Sequence, residues 1–160
     1  MSFIIKDTYS NFVHNVDTSF SKETISTTIE FYPGTEVTYT PQSNASKVIY
    51  ECSFQASWSP DDRGSYSSTR LQQSTDGGST WTTIDSTRIF EGNFGNTYDA
   101  VWHQFHWKFV LDTWTGERKL RLAGRSPYST SEYTVGDSYD AITASFDVGS
   151  CPHVTIYSLN

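Results

Sequence analysis

Charge is scarce in this chain. Asp, Glu, Lys and Arg make up 18% of its 160 residues, and the balance is acidic, with a formal net charge of −7. The densest basic spot is Arg118, Lys119 and Arg121. Binding along a phosphate backbone draws on clustered Lys and Arg, so no nucleic-acid partner is expected. Cysteine is limited to Cys52 and Cys151, far apart and without a C-x-x-C metal spacing. Two buried thiols, or a disulfide between neighbouring strands, both fit such a pair. No apolar run approaches the length of a membrane span, so no membrane partner is expected. The start, Met1 to Asp7, lacks the basic and then long apolar pattern of a secretory signal, which predicts synthesis without an oxidising export route.

Helical periodicity is missing too. Lys47 to Ser59 alternates instead: Val48, Tyr50, Cys52, Phe54, Ala56 and Trp58 against Lys47, Ile49, Glu51, Ser53, Gln55 and Ser57. Period-2 alternation predicts a strand with one row on a core and one row outward. Val101 to Leu111 repeats the pattern, with Val101, His103, Phe105, Trp107, Phe109 and Leu111 on one face. Trp102, Gln104, His106, Lys108 and Val110 form its other face. Asp112 to Glu117 predicts a turn, with Arg118 to Ala123 returning with Leu120 and Leu122 on one face and the basic spot on a strand edge. Ala141 to Val148 alternates, as does the last segment with Val154 and Ile156. Shorter strands are expected at Phe3 to Ile5, at Ile25 to Phe31 and around Val37 and Tyr39, with Pro33-Gly34 as a β-turn.

Roughly eight to ten strands separated by turn signals predict an all-β protein, an antiparallel β-sandwich with a jelly roll as the leading architecture. Ser and Thr fill polar positions that Lys and Glu usually take, and β-branched and aromatic residues suit a half-buried pleated surface. Residues 1–20 read as an N-terminal arm or edge strand, and residues 21–160 as a single sandwich domain.

Ser68 to Ser74 and Trp81 to Ile89 read as the arms of a hairpin around the octet Ser74-Thr75-Asp76-Gly77-Gly78-Ser79-Thr80-Trp81. The octet matches the S-x-D-x-G-x-T-W pattern and resembles the Asp box of sialidases and related propellers. Its positions also have a purely structural account. Gly77 and Gly78 supply positive φ, Asp76 accepts hydrogen bonds from the loop's own backbone, and Trp81 closes the turn. A propeller needs repeated blades of about 40–50 residues, and only this one box is present. The arginines show no sialidase signature, so the octet predicts a structural hairpin.

Other chemistry is equally thin. Most acids fall in turns or on outward rows, so no facing carboxylate pair is expected. His103 and His106 lie three apart on one strand and point to opposite faces, which separates them as metal ligands. H-E-x-x-H, G-x-S-x-G and phosphate-loop motifs are absent. The expectation is a protein that is not an enzyme and takes no cofactor or metal. Trp102 and Trp114, with His106, are candidate subunit-interface residues, because exposed aromatics mark interfaces.

The segment Val37-Thr38-Tyr39-Thr40-Pro41-Gln42-Ser43-Asn44-Ala45-Ser46-Lys47-Val48-Ile49-Tyr50-Glu51 resembles a run found in virion proteins of tailed phages, cyanophages in particular. Arg70-Leu71-Gln72-Gln73-Ser74-Thr75-Asp76-Gly77-Gly78-Ser79 is similar to a second element of those proteins. The resemblance spans roughly residues 30–160. It implies a trimeric jelly roll of the tumour-necrosis-factor/C1q sort, placed on the virion after assembly in the host cytoplasm. The implied role is a capsid decoration, or cement, protein that binds the outer head surface as a homotrimer. The major capsid protein, or another virion protein, would then be its partner. The arm would grip that partner, with Phe3, Ile4 and Phe12 as capsid-binding residues. A tail-fibre or receptor-binding tip, and a carbohydrate-binding module, are the alternatives. In the tip reading the loops at 60–66, 91–100 and 125–140 form the recognition surface.

Overall fold

The computed structural model describes residues 9–16, 23–25, 27–58, 66–84, 87, 89–92, 101–125, 133–135 and 152–160. For residues 9–10, 23–25, 56–58, 66–67, 89–92, 101–103 and 133–135 only the backbone is described. The strands in chain order are β1 (Tyr9–Val16), β2 (Glu23–Ile25), β3 (Glu30–Phe31), β4 (Val37–Tyr39), β5 (Lys47–Trp58) and β6 (Tyr66–Ser74). There follow β7 (Thr82–Thr83), β8 (Ile89–Gly92), β9 (Val101–Asp112), β10 (Arg118–Arg125), β11 (Tyr133–Val135) and β12 (His153–Leu159).

Antiparallel pairing is nested. β1 pairs with β12, β4 with β10, β5 with β9 and β6 with β8. An antiparallel ribbon folded back on itself produces this nesting, and wrapped into two sheets it is a jelly roll. The first sheet runs β1-β12-β5-β11-β2, with β9 on the other side of β5. The second runs β3-β10-β6-β7, with β4 also on β10 and β8 also on β6. The fold is therefore the all-β, antiparallel sandwich that the alternation predicts.

The inward rows meet in one core. β5 gives Val48, Tyr50, Cys52 and Phe54, and β9 gives Phe105, Trp107, Phe109 and Leu111. β12 adds Val154 and Ile156; from the other side come Tyr32, Val37, Tyr39, Leu71, Leu120 and Leu122. Each such side chain contributes about 1.5–3 kcal/mol by leaving water. Phe54 packs edge-on against Tyr32 and Trp107, with ring centroids at 5.5 and 5.4 Å. Cys52 is a buried free thiol, whereas Cys151 lies outside the described residues.

Buried tyrosines satisfy their hydroxyls across the sandwich. Tyr39 on β4 shares a 2.8 Å hydrogen bond with Ser158 on β12. Tyr50 on β5 donates at 2.6 Å to the carbonyl of Thr35. Thr35 is itself fully buried; its hydroxyl donates to Tyr32 O (2.6 Å) and accepts from Leu122 N–H (3.1 Å). Pro33-Gly34 forms the expected turn, with Gly34 at φ 75°. Pro presets the first central position and Gly supplies the positive φ of the second.

Several expectations are corrected. Arg118 to Ala123 returns with Leu120 and Leu122 on one face as expected, but in the other sheet. Asp112 ends β9 in the first sheet, and β10 opens in the second, between β6 and the β3/β4 pair. The turn residues are as compatible with a corner between sheets as with a hairpin, and the partners available to each strand decide. For the same reason the basic spot is not at an edge, because β10 is flanked on both sides. Ile25 to Phe31 is not one strand. Its ends belong to β2 and β3, in different sheets. The hairpin arm after Trp81 is broken: β7 holds two residues, and pairing with β6 resumes at β8. Thr87 fills the gap, its hydroxyl accepting from Leu71 N–H at 3.0 Å. The strands expected at Phe3 to Ile5 and Ala141 to Val148 lie outside the described residues.

Candidate association surface

The outward face of the first sheet follows from the register. Tyr157, Ile49 and Val110 stand side by side on β12, β5 and β9. A bulge in β1 between Ser10 and Val13, with Asn11 at φ 54°, turns Phe12 onto the same row. Asn tolerates this left-handed conformation, and its amide secures the bulge by donating to Thr40 O at 2.6 Å. Phe12 stacks on Tyr157 with centroids 6.1 Å apart. An apolar belt thus crosses β1, β12, β5 and β9. Its middle is covered, with Ile49 at 2% and Tyr157 at 7% exposure. Its ends are open, with Phe12 at 63% and Val110 at 61%.

Polar rows lie beside the belt. Thr155, Glu51 and Lys108 form the next row, and His153, Ser53 and His106 the one after. Lys108 Nζ sits 2.7 Å from Glu51 Oε1, to which the Tyr157 hydroxyl also donates at 3.1 Å. The Lys108 hydrogen bond holds the Glu51 carboxyl below its ordinary range, against a partial desolvation that pulls it up, and Tyr157 adds to the lowering. His14 shares a 2.9 Å hydrogen bond with Thr155. An open hollow of about 330 Å³ lies here, lined by His14, Glu51, Ser53, Gln104, His106 and His153 among others. No group of three His, Cys, Asp or Glu among the described residues is arranged to hold a metal ion.

Phe12 and His106, which the sequence assigns to different roles, lie on the same outward face of the first sheet but at opposite edges and two rows apart. The Trp102 backbone belongs to the same strand as His106, and its side chain is not described. Trp114 lies elsewhere, half-buried against the core beside Tyr39, with the Arg118 guanidinium 5.1 Å from its ring centre. Phe3 and Ile4 lie outside the described residues, as do most of the three proposed recognition loops. Sequence reasoning passed over Ile49, Val110 and Tyr157. The signal was present, since Ile49 and Val110 are apolar residues in otherwise polar rows.

The octet forms a closed turn at the end of β6. Gly77 and Gly78 adopt φ 72° and 100°. Ser74 Oγ donates to Asp76 Oδ1 at 2.7 Å and accepts from Gly78 N–H at 2.9 Å. Thr80 donates its hydroxyl to Asp76 Oδ2 at 2.6 Å and its N–H to Oδ1 at 2.9 Å. These bonds hold the Asp76 carboxyl well below the ordinary carboxylate range, Thr80 contributing most. Trp81 Nε1 donates to Gly78 O at 2.9 Å, which fixes the ring over the turn. Asp76, Gly77, Gly78 and Trp81 thus take part in one closed turn at the end of β6. The turn also places Trp81 against the Arg121 guanidinium, 3.8 Å from the ring centre.

No family model matches the chain, and no curated protein matches it. Among solved structures it is similar to Eiger TNF from S. frugiperda, with a TM-score of 0.40 and 9% identity over 93% of each chain. The jelly-roll assignment rests on the nested strand pairing.

Proposed function

We propose that this protein is a non-enzymatic structural protein of a phage virion. In this reading it is a capsid decoration protein that forms a homotrimer and binds the outer head surface. One observation carries the reading: the apolar belt from Phe12 to Val110 on the outward face of the first sheet. Its ends are exposed, and the rows that border it carry the ion pairs Glu51–Lys108 and Lys47–Asp112. Such a face suits burial against another copy better than contact with water. A ring of heterologous contacts closes without leaving a free surface.

The resemblance to tailed-phage virion proteins supports the setting, and its two segments fall on β4 to β5 and on β6 with its turn. A shell-binding protein of this kind stabilises the assembled lattice by mass action, because it binds the intact surface and not the dissociated subunits. The test is co-sedimentation of the full chain with capsids that lack it, together with the capsid melting temperature. Binding with a raised melting temperature is the expected result. Removing residues 1–8, which leaves β1 in place, should abolish capsid binding while the sandwich stays folded. Binding that survives the truncation removes Phe3 and Ile4 from the account, and no binding by the full chain removes the decoration role.

A receptor-binding tip or carbohydrate-binding module is the second reading. The observation favouring it is a strip of aromatic and cationic side chains on the opposite sheet, where Phe31 is 49% exposed.

A further inference from the structure

Among the described residues Arg121 is held in place without an acid paired to it. It stands on the outward row of β10, because Leu120 and Leu122 on either side point into the core. Its guanidinium carbon lies over the Trp81 ring, 3.8 Å from the ring centre, and 5.0 Å from that of Phe31. Its Nε donates to Gln72 Oε1 at 3.0 Å, and this bond sets the direction of the guanidinium fork. Glu36, whose charge reaches Arg121, is engaged by Lys119 at 2.7 Å. Among the described residues the two terminal nitrogens of Arg121 have no hydrogen-bond partner. A half-buried guanidinium, clamped by an aromatic ring and oriented through Nε, presents a preformed two-pronged donor. The planar carboxylate matches that geometry.

We propose that the Phe31–Arg121–Trp81 strip binds an acidic sugar, with the carboxylate of a hexuronate unit on the Arg121 fork. The surroundings favour a sugar over an acidic side chain of a protein. Phe31 is 49% exposed and offers apolar ring surface for the C–H face of a pyranose. Thr83 stands opposite Gln72 on β7, and Thr38 opposite Lys119 on β4, so hydroxyl and amide groups border the strip. Trp81 is fixed by the octet, so the platform exists before any ligand arrives and loses little freedom on binding. This assignment goes beyond the virion role and is independent of it, since the strip lies on the sheet opposite the association surface.

The test is calorimetric titration of the full chain with oligogalacturonate at low ionic strength. Its methyl ester, a neutral maltooligosaccharide and a poly-glutamate peptide are the comparison ligands. Oligogalacturonate should bind. Esterification should weaken binding by about tenfold or more, the loss expected for removing a charge-assisted pair. Arg121→Met should cause a similar loss with an unchanged circular dichroism spectrum. Arg121→Lys, which keeps the charge and loses the fork, should also weaken binding, and it stands in if the Met variant misfolds. The proposal is overturned if oligogalacturonate does not bind, if ester and acid bind alike, or if the folded variants bind like wild type. Poly-glutamate binding as tightly as the sugar overturns it as well, because the strip would then read charge alone.

Discussion

Tyr50 and Thr35 tie the two sheets of the sandwich together. The Tyr50 phenol, fully buried on β5, donates at 2.6 Å to the Thr35 carbonyl in the turn before β4. Tyr50→Phe keeps the ring and strands that carbonyl without its donor. The change should destabilise the protein by about 1–3 kcal/mol, the usual penalty for a buried unsatisfied acceptor. Urea denaturation with an unchanged m-value checks it. A Phe variant as stable as wild type would show that the bond does not tie the sheets.

The same residue predicts alkaline sensitivity. Burial pushes the Tyr50 phenol well above its ordinary 10.0, and burial also pushes the Cys52 thiol above its ordinary 9.0. The native state therefore keeps protons that the unfolded chain releases. Stability is fully present below the unfolded values and falls as pH rises through 9.0 and then 10.0 toward the native ones. Thermal melts between about pH 8 and pH 11 should show a declining Tm over that window. Cys52→Ala should remove the part of the decline that begins near 9.0. A flat profile would contradict the assignment.

Gly124 leaves room for Tyr32. A Cβ at Gly124 would overlap the Tyr32 hydroxyl and come within 2.7 Å of its Cζ. That hydroxyl is already engaged with Thr69 at 2.7 Å, and Tyr32 is fully buried. Gly124→Ala should therefore destabilise the fold by about 1–3 kcal/mol through overpacking, measured by the midpoint of urea unfolding. Gly124→Ala with Tyr32→Phe should recover part of the loss, since the clashing oxygen is gone.

Asp76 gives an acid-side counterpart. Its hydrogen bonds to Thr80 and Ser74 favour the carboxylate in the folded state. Stability from these bonds is present above the ordinary value of 3.8 and is lost as pH falls below it toward the depressed native value. Asp76→Ala should lower Tm by a few degrees at neutral pH. The difference from wild type should shrink as the pH drops below 3.8. A difference that stays constant down to about pH 2 would mean the carboxylate charge contributes nothing.

Strand faces were the most legible part of the sequence, because alternation over long runs leaves one solution. Val48, Tyr50, Cys52 and Phe54 point inward as expected, and so do Phe105, Trp107, Phe109 and Leu111. Connections were less legible. Nothing local in Asp112 to Glu117 states whether the next strand pairs in the same sheet or crosses to the other. The octet was legible as a turn, since the Ser74, Asp76, Ser79, Thr80 and Trp81 side chains bond within it. Its service to Arg121 was not, because that contact joins the turn to β10 across the sheet. The apolar belt was visible only as an irregularity, Ile49 and Val110 among polar neighbours. Phe12 joins them through a bulge at Asn11 that no simple periodicity predicts.

The central claim is that copies of this chain associate through the belt between Phe12 and Val110. The direct measurement is the mass in solution by light scattering, for wild type and for Val110→Asp. The account predicts a wild-type mass near three times 18.1 kDa, about 54 kDa, and a folded variant near 18.1 kDa. A wild-type monomer would contradict self-association, and a trimer that persists in Val110→Asp would place the interface on another face.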